Sequence, residues 1–231
     1  MARSRPESAA PLTAAAIEAA AAPLDLGLRA DQCEQLAAYA ALLLRWNAAY
    51  NLTAIDAPEH VLTHHLLDSL AVVPLLRRLA PHDAARVLDV GSGGGLPGIP
   101  LAIAQPTWRL TLIDAVGKKV AFMTQAALEL GLGNVQALHR RVETVRTHDC
   151  DVVVSRAFAA LGAFARQSRG ALAPAGVWVA MRGAVALDDA PLPGEVTVSE
   201  VVRLAVPQLA ATRHAVVLRP VAQRGAATPA P

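Results

Sequence analysis

The stretch Val87-Leu88-Asp89-Val90-Gly91-Ser92-Gly93-Gly94-Gly95-Leu96-Pro97-Gly98 decides the fold. Its first residues read as the end of a short β-branched strand, its middle is glycine, and residues 97–105 read as a helix. A strand that turns through glycines into a helix is characteristic of an open α/β sheet. In such a sheet a nucleotide-like ligand binds outside the carboxyl end of the strand. Glycine there lets backbone approach a ligand with no Cβ in the way, and it supplies the positive φ of a tight turn. About twenty residues on, a second strand ends at Asp114, placed to accept hydrogen bonds from ribose hydroxyls.

Two ligand classes fit such a turn. Gly93, Gly95 and Gly98 match the G-x-G-x-x-G pattern of dinucleotide sites, but the strand delivers the chain to Gly91, two residues early, and Pro97 falls inside the pattern. Asp89 is an acid in the strand itself, ill-suited to a pyrophosphate and well suited to orienting a loop around a cationic cofactor such as S-adenosylmethionine. A dehydrogenase would also need a substrate domain, for which the chain has little room. Methyl transfer is the favoured reading; a nicotinamide-binding or regulatory protein is the weaker one.

Outward from this motif the same alternation continues. Strands are predicted at 86–90, 109–114, 134–138, 151–155 and 176–181, with helices at about 97–105, 118–130, 142–147 and 160–172, the pattern of βαβ units and a parallel sheet covered on both faces. Two late strands, 196–206 and 213–219, are expected to add an antiparallel pair at one edge. Upstream the chain is helical. Helices are predicted at 12–22, at 31–49 with Asp31 as N-cap and Glu34 completing a capping box, and at 59–79 with Pro58 in the first turn. The expected organisation is an Ala-rich, partly disordered lead over 1–25, a helical cap over 26–82, a Rossmann-like methyltransferase domain over 83–220 and a loose tail over 221–231, in one compact unit.

Composition narrows the classes further. The 231 residues are 54% hydrophobic and 17% charged, which excludes a disordered polyampholyte, although fifty of them are alanine. A net charge of +2 neither demands nor excludes a nucleic acid, because clustering on one face is what matters. Cys33 and Cys150 stand far apart, in no metal-ligand spacing, so reduced thiols and no metal are expected. The uncharged run Val90–Trp108 contains five glycines and three prolines and cannot be a regular membrane span. The alanines of MARSRPESAAPLTAAA do not make the apolar core of a signal peptide. A soluble, cytoplasmic protein without a membrane partner is expected.

The acceptor is constrained by what is missing. Exocyclic-amine methylation commonly uses an Asn/Asp-Pro-Pro-aromatic tetrapeptide after the fourth strand, where this chain has Ser155-Arg156-Ala157-Phe158. Cytosine-C5 chemistry needs a nucleophilic cysteine, and neither cysteine is placed for it. What remains suits a nucleophile with a free lone pair, such as a purine N7, for which the enzyme mainly supplies proximity and an in-line approach. Lys118 and Lys119 follow the second strand, Arg140 and Arg141 the third, Arg156 the fourth and Arg182 the fifth. In a parallel sheet these carboxyl ends share the glycine-loop edge, and a basic rim there suits a phosphate backbone.

The runs GSGGGLPGIPLAI and LIDAVGKKVAFM, the pair Val142-Glu143 after Arg141, the strand DVVVSRAFA and the upstream segments WNAAYNLTAI and HHLLDSL together resemble the RsmG (GidB) family over roughly residues 26–219. That resemblance implies an S-adenosylmethionine-dependent methyltransferase acting on N7 of one guanine near the decoding centre of 16S rRNA. It implies cofactor contacts at Gly91, Leu96, Val142, Glu143 and Arg156, to which the residues themselves add Gly93 and Asp114. Gly94 stands where relatives often have proline. Lys118, Arg141 and Arg182 are expected to bind RNA, with Arg156 also close to the guanine. The partner is then 16S rRNA, the 30S subunit or its assembly intermediate, met by a monomer. Asn51 and His65 are the candidates to touch the target base, with a structural role for His65 and Asp68 as the alternative; His64 is expected to face elsewhere, and Trp46 and Tyr50 to be core. A small-molecule methyltransferase on the same fold is the competing function.

Overall fold

The computed structural model describes residues 12–156, 158, 160–183 and 192–221. The expected loose termini, 1–11 and 222–231, lie outside the described residues. Helix α1 (Ala14–Ala21) ends in a 3-10 turn containing Pro23, and α2 (Ala30–Tyr50) follows. The start of α2 differs from expectation. Arg29 is its N-cap, Gln32 Oε1 accepts the Arg29 N–H at 2.9 Å, and Asp31 lies in the first turn, paired with the Arg29 guanidinium at 2.7 Å. Gln32 can reach back across one turn, and the longer side chain displaces the Asp31/Glu34 box.

The predicted helix 59–79 is two helices. The first, α3, is a continuous run of Pro58–Val61, a π-helical stretch Leu62–Leu67, and Asp68–Leu70. The second, α4 (Val73–Leu79), restarts after a turn and carries Pro74 in its first turn. Pro74 has no N–H to continue a ladder, so the helix has to restart at it. The π-helical stretch rotates the register in HHLLDS, the segment that carries His65 and Asp68.

Strands β1 (Arg86–Val90), β2 (Arg109–Asp114), β3 (Val135–His139), β4 (Cys150–Ser155) and β5 (Leu172–Arg182) are parallel. Antiparallel β6 (Val196–Leu204) and β7 (Arg213–Pro220) complete a seven-stranded sheet ordered β3-β2-β1-β4-β5-β7-β6. The crossover helices are α5 (Gly98–Ala104), α6 (Gly117–Glu129) and α7 (Leu161–Ser168). The predicted helix 142–147 is a single 3-10 turn, Val142–Thr144. β5 begins earlier than expected because a register shift in β4 brings Leu172 opposite Cys150.

Alternation along β1 sends Val87 to one face and Leu88 and Val90 to the other. The first face packs with Ile17, Leu36, Leu43, Leu66 and Leu70 of the cap and with Ile99 of α5 and Phe122 of α6 in one core. The second face is covered by Phe164 of α7 and by Val142 and Val145. The cap therefore shares its core with the sheet, and this holds α2 and α3 over the carboxyl edge. Cys33 and Cys150 are buried free thiols. Among the described residues no helix is long and apolar enough to cross a membrane.

Candidate functional site

β1 and β2 end side by side and splay the glycine turn between them. The N–H groups of Gly91 and Ser92 donate to Ile113 O at 2.8 and 3.1 Å, which fixes where the turn leaves the sheet. Gly91, Gly93 and Gly95 have φ of +72°, +58° and +79°, a conformation that other residues adopt only with strain. A Cβ at Gly91 would meet no atom within 4 Å, and at Gly93 only Gly91 O at 3.9 Å, so both face open space. Gly95 and Gly98 are different: a Cβ there would meet Ile99 at 2.5 Å and Leu112 at 2.7 Å. The first pair leaves the edge of the turn open, whereas the second pair lets α5 pack on the sheet. Leu96 is buried in the core and shapes the turn from inside.

Two acids organise this loop. Asp89 is fully buried, and its Oδ2 accepts the Gly98 N–H at 2.9 Å. Its Oδ1 has no hydrogen-bond partner, and burial pushes the carboxyl up to about 7. Asp114, at the end of β2, accepts Gly93 N–H on Oδ2 at 3.0 Å and Val116 N–H on Oδ1 at 2.9 Å. It thus sits against the loop as expected, but each of its oxygens already holds backbone. Lys119 stands 3.8 Å from it.

The cap contributes a brace that the sequence did not disclose. Tyr39, wholly buried on α2, donates its hydroxyl to Gly94 O. Burial raises its pKa, so it remains a phenol. Trp46 packs edge-on against Phe122 at 5.6 Å as a core residue, but Tyr50, expected in the core, is 45% exposed and leans on Trp46 at 5.1 Å. Lys118 Nζ donates to Tyr50 O at 2.8 Å and ties the end of α2 to the start of α6. Asn51 caps α2 with φ of +49°, and its side chain is exposed at this same edge. Asn47 staples the following loop, accepting Thr53 N–H at 2.8 Å and donating to Ile55 O at 3.3 Å.

On the other side of the glycine turn Ser155 Oγ donates to Val90 O at 2.8 Å, locking the ends of β4 and β1 together. Arg156 follows immediately. It does not stand in an exposed rim. Its side chain is 22% exposed and turns inward, donating to His64 O at 2.7 Å and to Asp68 Oδ2 at 3.2 Å, with His65 Nδ1 3.3 Å away. Arg213, at the start of β7, donates to the other oxygen of Asp68 at 2.9 Å. His65 is buried, its Nε2 2.8 Å from Thr53 Oγ1. Burial, aided by the Arg156 charge, holds it down at about 4, so the ring is neutral. His64 does not face elsewhere: its carbonyl receives Arg156 and its ring lines the same cavity.

That cavity, about 330 Å³, is also lined by Met181, Arg182 and His214. Val142 is buried in the turn after β3, and Glu143 is exposed beside it, 3.9 Å from Arg141. Arg140 and Arg141 are exposed. Of the six cations expected to form a rim, those after β3 point outward, whereas Lys118, Lys119 and Arg156 are engaged with the protein. No cluster of His, Cys, Asp or Glu among the described residues could hold a metal ion. Sequence reasoning missed Tyr39, Asn47, Thr53 and Arg213; Asn47 and Thr53 lay inside a segment already singled out.

Comparison with known proteins shows the fold and the family of this chain. The Aquifex aeolicus structure described as an S-adenosylmethionine-dependent methyltransferase superposes with a TM-score of 0.55 at 16% identity, covering 74% of this chain and 97% of that one. TrmN from Thermus thermophilus gives 0.54 at 19% identity, over 69% and 53% of the two chains. At such identities these show a shared fold. Sequence relatives are much nearer. Ribosomal RNA small subunit methyltransferase G of Acidovorax ebreus is 51% identical, covering 90% of this chain and 95% of the relative. The protein of the same name from Bordetella avium is 48% identical over 88% and 92%. The family model described as rRNA small subunit methyltransferase G matches residues 32–217, and the chain belongs to this GidB family.

Proposed function

We propose that the protein transfers a methyl group from S-adenosylmethionine to N7 of a guanine in 16S rRNA, near the decoding centre. The observation that carries the cofactor is the glycine turn itself. Gly91 and Gly93 present bare, left-handed backbone to open space in the turn that the buried Asp89 carboxyl anchors at Gly98, with one oxygen lacking a partner among the described residues. A cationic, amine-bearing ligand suits that donor set, and a pyrophosphate does not. S-adenosylmethionine, when bound, supplies an electrophilic methyl on a sulfonium.

The chain's own residues do the rest. Gly91 and Gly93, with Leu96 behind them, make the cradle, and Asp114 holds the loop in shape while bordering the ribose position. Val142 offers backbone and Glu143 a carboxylate to an adenine edge. Asp89 anchors the turn from beneath through the Gly98 N–H. Arg156 is fixed between the cofactor turn and the cap, and Asn51 and His65 border the acceptor side. Lys118, Arg141 and Arg182 face the RNA. N7 carries a free lone pair, so no residue has to remove a proton, and the positive charge passes from donor to base. Catalysis then rests on proximity and alignment.

The reading is of a monomer that acts in the cytoplasm, where the small subunit is found. The test is to map N7-methylguanine in small-subunit rRNA from cells with and without the gene, and to restore it with purified protein and S-adenosylmethionine. An unchanged methylation map, or methylation of small acceptors alone, would return the reading to a small-molecule methyltransferase.

A further inference from the structure

The ion-pair cluster under the cap is unbalanced. Asp68 is buried at 3% exposure, and one guanidinium holds each of its oxygens: Arg156 from the end of β4 and Arg213 from the start of β7. One cation would neutralise that carboxylate. Among the described residues no other acid pairs with either arginine, and both arginine side chains are only 22% exposed. A surplus charge taken largely out of water is costly to the fold unless an anion completes it. Both arginines line the cavity of about 330 Å³ together with Arg182, His64, His65 and His214, and among the described residues Asp68 is its one acid.

The location says which anion. The cavity lies at the carboxyl edge of the sheet, next to the strand whose Ser155 is bonded to Val90 at the root of the glycine turn. Resting on the functional reading above, we infer that it receives a backbone phosphodiester of the RNA, with Arg213 as a phosphate-binding residue. The reacting ring is a poorer occupant, because methylation leaves it cationic and a net-positive cavity opposes that charge. A phosphodiester gains from the same field, and a planar guanidinium presents paired donors to its oxygens. Asp68 then has a second effect. By pairing with both arginines it moderates the charge of the cavity.

The other anion that could reach this edge is the carboxylate of the cofactor, and the test separates the two. Steady-state methylation of 30S particles is measured at several salt concentrations, and S-adenosylhomocysteine affinity by calorimetry. Arg213→Gln should raise KM for particles about tenfold and lower the slope of log KM against log salt by about one, with S-adenosylhomocysteine affinity unchanged. Asp68→Asn, which leaves both guanidiniums facing the cavity, should not raise KM for particles. The inference fails if Arg213→Gln leaves KM and slope as in the wild type, if it weakens S-adenosylhomocysteine with the slope intact, or if Asp68→Asn raises KM as Arg213→Gln does. Should Arg213→Gln strand Asp68 and fail to fold, the double variant Asp68→Asn/Arg213→Gln removes the pair as a unit, and a normal KM there overturns the site. Wild-type methylation of the same particles is the control: its absence would sink the functional reading, not this site alone.

Discussion

The hydroxyl of Tyr39 donates to the carbonyl of Gly94, so a helix of the N-terminal cap holds the turn that leaves β1. Gly94 is buried and its carbonyl has no water to fall back on. Tyr39→Phe keeps the ring in its packing against Phe122 but leaves that acceptor unsatisfied, at about 1–3 kcal/mol. The expected outcome is a lower melting temperature together with weaker S-adenosylhomocysteine binding, because the loosened turn is the proposed ligand surface. Calorimetry and thermal melts on one preparation check it. Full affinity in a destabilised Tyr39→Phe would show that the brace serves the fold alone.

Neighbouring glycines should separate cleanly by function. A side chain at Gly91 enters open space but is strained by φ of +72°, by about 1–2 kcal/mol. Gly91→Val should therefore melt only slightly earlier and yet lose ligand binding, since its methyls occupy the cradle. Gly98→Ala places a Cβ 2.7 Å from Leu112 and 2.8 Å from Asp89 Oδ2, an overpacking of about 1–3 kcal/mol that also crowds the acid. It should lose stability first. Reversal of the two phenotypes would contradict the division of the loop into a ligand edge and a packing edge.

Asp89 makes stability depend on pH in an unusual direction. Its folded value is raised to about 7 by burial, above the ordinary 3.8. Between those two values the folded chain holds a proton that the unfolded chain has lost, so this contribution is full at low pH and fades as pH rises through about 7. Because His65 acts in the opposite sense below about pH 6.5, the loss is read against the variant: in melting curves of the ligand-free protein the stability of the wild type relative to Asp89→Asn should fall as pH rises from about 5 to about 7. An unchanged slope in the variant would mean that the carboxylate stays ionised throughout.

Much of this architecture was legible in the chain because it is local. Strand, glycine turn and helix follow one another within a dozen residues, and period-two alternation marks both faces of a covered sheet. The helical cap was legible too, except where Pro74 split one helix into two and a π-helical stretch re-aimed His65 and Asp68. What stayed hidden are pairings across long separations. Tyr39 meets Gly94 across 55 residues, Arg156 meets Asp68 across 88, and Arg213 meets Asp68 across 145. Periodicity carries no information about such partners. It could place Arg156 at the end of β4 and suggest a rim, but only the cap overhead explains why that arginine turns inward.

The neutral state of His65 bears directly on mechanism. A histidine in water titrates near 6.5, but here burial first, and the Arg156 charge second, hold it at about 4. With the folded value depressed, stability is lost as pH falls from about 6.5 towards 4, and across neutral pH the ring keeps its single N–H and carries no charge. Its nitrogens are occupied by Thr53 at 2.8 Å and by the His64 carbonyl at 3.0 Å, which suits a residue that sets the shape of the acceptor side. Methylation at a base nitrogen with a free lone pair needs nothing more. Single-turnover rates should therefore be flat between about pH 6 and pH 8. His65→Gln, which preserves a hydrogen bond to Thr53, should retain most of the rate, and His65→Ala should lose more through misalignment than through chemistry. An acid limb in that pH range that disappears in His65→Gln would make His65 a proton carrier and refute a mechanism based on alignment.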